Sequence, residues 1–128
     1  MKPNPVVWFE IYVQNMPRAQ AFYESVFQCK LEPLKSPEGE VQSAQMLSFP
    51  GDMSTMGASG ALVKMDGAPQ GNGGTLVYFG CGDCAVEQGR VEPAGGQVVK
   101  PKFAIGEYGF CALVTDTEGN LIGLHSMQ

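Results

Sequence analysis

Histidine and tryptophan each occur once in this sequence, and its 128 residues carry only eight basic side chains against thirteen acidic ones. A metal centre built from two histidines and a carboxylate needs two imidazoles on one ion, and the chain supplies only His125. The formal charge of −5 leaves no electrostatic footprint for nucleic acid or an anionic membrane, so neither is an expected partner. No apolar run approaches the ~18 residues that would suggest a membrane helix. The opening residues, MKPNPVVWFEIYV, break their apolar stretch at Glu10 and do not read as a secretory signal. A cytoplasmic protein is therefore expected, with its four cysteines reduced. Also missing are a GxGxxG turn opening a helix, a phosphate loop ending in GK[ST], an HExxH pair and a nucleophile elbow.

Glycine and proline are plentiful, at 17 and 9 residues, which favours many turns and a strand-rich chain over a helix bundle. With 44% apolar residues the length suffices for one domain with its own core. Residues 6–13, VVWFEIYV, alternate as a strand. One face carries Val7, Phe9, Ile11 and Val13, and the other carries Trp8, Glu10 and Tyr12. A strand buried on both sides has no use for a carboxylate, so the second face is expected to meet a cavity or water. A helix follows, opened by Asn15 or Met16 with Pro17 in its first turn, and Ala19, Phe22, Tyr23, Val26 and Phe27 form its apolar stripe.

A short strand before a turn at Pro37–Glu40, a strand over Gln42–Phe49 and another over Gly60–Met65 complete the first half. The connector 66–74, DGAPQGNGG, precedes a second run of the same order. In that run Thr75–Cys81 is a strand, Asp83 caps a helix reaching about Pro93, and strands begin at Gln97, Tyr108 and Leu121. The expectation is a single α+β domain, residues 1–128, made of two βαβββ modules over about 5–66 and 74–127. A shift of 67 residues lays Trp8 on Thr75, and a shift of 63 lays Gly60 on Gly123.

The segment AFYESVF at 21–27, GGQVVKP at 95–101, IGEYGF at 105–110 and the ending DTEGNLIGLH at 116–125 resemble, in order and spacing, the vicinal oxygen chelate superfamily. That group holds glyoxalase I, the bleomycin- and fosfomycin-resistance proteins and the extradiol dioxygenases. The resemblance implies paired βαβββ modules curled into a mixed-sheet cup, and frequent homodimers. Metal-binding members place a ligand on the first, fourth, fifth and eighth strands, positions that fall here on Trp8, Gly60, Thr75 and Gly123. None is an ordinary ligand, so no metal and no other cofactor is expected.

Trp8 then fills the space of the ion, with Gly60 and Gly123 making room for its indole. The register places Tyr12 beside it and lines the fifth strand with Thr75, Val77 and Phe79, while Tyr108 and Phe110 share a face of the seventh. A carboxylate and an imidazole at an apolar pocket can act as base and acid, which makes Glu10 and His125 the catalytic candidates. The plainer alternative pairs Glu10 with a base or water and leaves His125 as a satisfied side chain near a strand end. Cys81 and Cys84 form a CxxC at a strand–helix junction, but no second pair is spaced for zinc. The reading favoured is a binder of a small-molecule ligand with an aromatic pocket. A lyase or isomerase related to lactoylglutathione lyase and an antibiotic-sequestering protein are the alternatives.

Overall fold

Three residues separate the first strand from the helix that follows it, and two strong local signals bound that helix. β1 (Val6–Tyr12) ends where α1 (Met16–Phe27) begins, and the Asn15 side chain caps that start by accepting from the Arg18 backbone N–H at 3.0 Å. Gln28, at φ 50°, closes the helix in the left-handed region. A computed structural model describes residues 4–35, 44–52, 54–68 and 73–128. The expected turn at 37–40, the start of the strand expected from Gln42 and the middle of the 66–74 connector lie outside them.

Strands β2 (Glu32–Leu34), β3 (Gln45–Ser48) and β4 (Ser59–Lys64) complete the first βαβββ run. The second run has β5 (Thr75–Gly80), α2 (Cys84–Val91), β6 (Gln97–Ala104), a 3-10 turn over Gly106–Tyr108, β7 (Phe110–Thr115) and β8 (Leu121–Ser126). The α+β class with two βαβββ modules is thus the fold of the chain. No helix among the described residues is long and apolar enough to cross a membrane.

Contacts divide the described chain into two compact units. One holds the residues from Trp8 to Thr75, with strand order β2-β3-β4-β1. β1 and β4 are parallel, and β2–β3 and β3–β4 are antiparallel. α1 covers one face of this sheet, where Met16, Leu31, Leu47 and Leu62 form a buried core joined by Ile11, Val13, Ala19 and Tyr23. The stripe expected on α1 is therefore only half buried: Ala19 and Tyr23 face the core, but Phe22, Val26 and Phe27 are 58%, 54% and 63% exposed. Heptad-like spacing alone reads a stripe broader than the narrow four-stranded sheet can cover.

The other unit holds residues 4–7 and 76–128, with strand order β5-β8-β7-β6. Asp83 caps α2 by accepting from the Ala85 N–H at 2.9 Å, and Lys102 Nζ on β6 pairs with the same oxygen at 2.9 Å. α2 covers a core of Cys84, Ala112, Val114 and Leu124. Ser126, buried on β8, accepts from the Cys84 N–H at 3.0 Å and so ties the helix start to the last strand.

Two registers differ from the sequence reading. Gly60 pairs with Phe9, not with Trp8, and a Cβ there would lie 2.5 Å from the Phe9 ring and from the Phe9 carbonyl oxygen. It makes room on the α1 side, one residue out of step with the indole. In the other unit Gly123 pairs with Tyr78, whose ring occupies the space a Cβ would need, so this glycine also serves a neighbour other than Trp8. A strand's period of two turns a one-residue error in alignment into a change of face.

Candidate functional site

On the face of the first unit turned away from α1, β1 sets Trp8, Glu10 and Tyr12 in a row. Successive residues of one strand face stand about 7 Å apart, a span that long aromatic side chains can bridge toward a shared neighbour. The Trp8 Nε1–H donates to Glu10 Oε2 at 3.1 Å, and the Tyr12 hydroxyl donates to Glu10 Oε1 at 2.5 Å. A carboxylate thus stands between two neutral donors supplied by its own strand, all three side chains half buried. Beneath them lies an apolar floor of Met46, Ala61 and Val63, with Leu34 and Met65 at its margin. Register explains the floor: Glu10 pairs with Ala61, Tyr12 with Val63, and Met46 with Val63. The sequence reading missed these three, although the parity of β4 relative to Trp8 contains them once Gly60 is set on the opposite face.

The second unit builds a comparable face opposite α2. Tyr78, Phe103, Ile105, Cys111, Leu113 and Tyr108 pack together there, beside Gly123 and His125 of β8. The His125 Nε2 lies 2.6 Å from the Tyr108 carbonyl oxygen. A carbonyl only accepts, so Nε2 carries hydrogen and Nδ1 is the acceptor in the neutral ring. Tyr108 reaches this position from the 3-10 turn, before β7 begins, whereas Phe110 packs on the α2 side. The two therefore do not share a strand face; Gly109, at φ 100°, breaks the alternation between them. On β5 the parity is likewise shifted by one: Phe79 packs against α2, Thr75 is exposed, and Tyr78 takes the other face.

The residues do not fit the ion that metal-binding members of the superfamily hold. Of Trp8, Glu10, Tyr12, Ser59, Ala61 and Val63 on the open face of β1 and β4, only Glu10 is an ordinary ligand, and an indole N–H offers no lone pair. Among the described residues no three His, Cys, Asp or Glu side chains are grouped to hold a metal.

The CxxC is also chemically quiet. Cys84 is fully buried, and the Cys81 thiol is pushed up to about 11 by burial and then by the negative charge of Glu87. At pH 8 its thiolate fraction is about a hundredfold below that of an ordinary thiol, so alkylation at Cys81 is expected to be correspondingly slow, as mass spectrometry of iodoacetamide-treated protein would show. The contribution of protonated Cys81 is fully present below pH 9 and is lost as pH rises toward 11.

BH1468 of Bacillus halodurans superposes with a TM-score of 0.70 at 13% identity, covering 99% of this chain and 96% of the other. A Streptomyces coelicolor methylmalonyl-CoA epimerase in complex with 2-nitronate-propionyl-CoA superposes with a TM-score of 0.66 at 15% identity, covering 94% of each chain. In sequence, the chain is 29% identical over 119 residues to CFP32 of Mycobacterium bovis, which carries the name of a glyoxylase. The chain has the vicinal oxygen chelate fold. It spans 43% of the length of that curated relative, the match covering 91% of this chain. No family model matches. The Trp8–Glu10–Tyr12 row lies on the face of the first unit's sheet opposite α1.

Proposed function

We propose that this chain binds a small organic molecule on the open face of its first unit, with Glu10 accepting a hydrogen bond from a hydroxyl, amine or amide of the ligand. The observation that carries this reading is the carboxylate fixed between the Trp8 indole and the Tyr12 hydroxyl above Met46, Ala61 and Val63. An ionised carboxylate can accept about four hydrogen bonds, and two that Glu10 accepts come from its own strand and orient it. The two donors fix its plane, the apolar floor offers surface to a carbon skeleton, and the aromatic rings limit the shape admitted. His125, with Nδ1 as acceptor, and Tyr108 are offered as a second polar pair on the open face of the other unit. No metal held in the superfamily's usual manner takes part in this proposal.

A second reading, a proton-transferring isomerase with Glu10 as base, draws on the likeness to methylmalonyl-CoA epimerase. One experiment serves both. A panel of CoA thioesters, hydroxy acids and amino sugars is screened by thermal shift in the presence of EDTA, and each thioester is assayed for deuterium uptake from D2O. Binding by at least one class, weakened about tenfold or more in Glu10→Gln, is the expected result, since the charged acceptor is lost. Deuterium uptake abolished in Glu10→Gln would establish the isomerase. A panel without a binder, or binding indifferent to Glu10, overturns the proposal.

A further inference from the structure

At the end of β1 the chain turns into α1 and borders an open groove of about 420 Å³, within the volume range of small-molecule sites. Tyr12, Gln14, Asn15, Arg18, Ala19 and Phe22 line it. We infer that this groove binds small carboxylates with a flat apolar body, Arg18 pairing with the carboxylate and Phe22 covering the body.

The polar groups at this groove are of one kind. Arg18 carries a guanidinium that makes no ion pair among the described residues, and no acidic side chain lines the walls. Asn15 has its carbonyl oxygen committed to the Arg18 N–H, so the side chain's remaining polar group is the donating NH2. Gln14 adds a further amide. Donors without a competing anion select an anionic ligand, and the planar guanidinium matches a carboxylate through two parallel bonds.

The walls are of another kind. Phe22 lies one helical turn beyond Arg18 on the same side of α1, and its ring, expected in the core, is 58% exposed beside the groove. Its neighbour Tyr23 meets it edge-on at 5.1 Å and holds it from behind. The Ala19 methyl extends this apolar surface. A cation finds no counter-charge here, and a sugar finds too few acceptors. In a chain of net charge −5, Arg18 is the one cationic side chain among the residues lining this groove, and attraction for an anion there comes from its guanidinium. It stands apart from the Glu10 proposal, since it needs the donors of the β1–α1 corner and not the carboxylate.

The test is a titration of the ¹⁵N-labelled chain with benzoate, benzamide and benzylamine, read from backbone amide signals. Benzoate is expected to shift Asn15, Arg18 and Ala19 saturably, with a Kd on the order of millimolar. Benzamide and benzylamine are expected to bind at least about tenfold more weakly, as is benzoate to Arg18→Gln. Arg18 is exposed, so Arg18→Gln is expected to fold with an unchanged melting curve. Phe22→Ala is expected to weaken benzoate severalfold while keeping the preference for it over benzamide. Equal binding of benzamide, unchanged binding by Arg18→Gln, or no shift at these residues at tens of millimolar benzoate overturns the inference.

Discussion

Gly60→Ala is expected to lower stability by about 2–3 kcal/mol, a large effect for one added methyl group. The cause is room. The new Cβ would stand 2.5 Å from Phe9 Cδ1 and Cε1 and 2.5 Å from the Phe9 carbonyl oxygen. The ring can swing aside, but the carbonyl belongs to β1 and cannot move without disturbing its pairing with β4. Swinging the ring is itself costly, because Phe9 packs on Phe49 at 5.5 Å and Phe49 meets Tyr23 of α1 edge-on at 5.6 Å. Urea denaturation would read the loss. A double-mutant cycle adds the discrimination: Phe9→Leu with Gly60→Ala should show a favourable coupling of about 1 kcal/mol, and Trp8→Leu with Gly60→Ala none. Rescue through Trp8 would restore the register read from sequence and refute the one in the structure.

The second large effect concerns Leu62. It is fully buried in β4, pairs with Ile11 and Leu47 across the sheet, and belongs to the core with Met16 of α1 and Leu31 that follows the helix. Leu62→Ala is expected to cost about 3 kcal/mol through lost burial and the cavity left behind. Leu62→Met conserves volume and should cost less than about 1.5 kcal/mol. Denaturant midpoints compare them. Leu62→Ala within experimental error of the parent would mean that α1 is held by something other than this core. The same residue connects stability to the proposed sites, since the position of α1 sets the groove at Arg18 and the α1-side packing fixes the face on which Glu10 stands.

Local signals carried the fold. Asn15 and Asp83 act as caps because their side chains reach backbone N–H groups within their own turns, a relation that needs no tertiary information. The alternation of β1 was legible for the same reason, and it placed Trp8, Glu10 and Tyr12 on one face as the structure has them. Relations between strands were not legible. Whether Gly60 or Ala61 stands beside Glu10 depends on pairing across a parallel ladder, and carrying the superfamily's fourth-strand ligand position onto Gly60 set that residue on the wrong face. The same parity error exchanged Phe79 for Tyr78 on β5. Tyr108 was assigned to a strand because Gly109 at positive φ is invisible to a count of alternating residues. Phe22, Val26 and Phe27 read as core from hydrophobicity, yet a helix lying on four strands can bury only the side that faces them. The groove at Arg18 followed from that exposure and could not have been found without it.

The single tryptophan allows a direct check of the row on which the functional proposal stands. In a ¹H–¹⁵N spectrum the chain gives one indole N–H signal, and its hydrogen bond to Glu10 should make it sensitive to anything that engages that carboxylate. A compound of the panel that stabilises the protein should move the indole signal in proportion to site occupancy, and Glu10→Ala should shift the starting position and abolish the movement. A compound that raises the melting temperature while leaving this signal in place, or an indole signal indifferent to Glu10→Ala, would contradict the account.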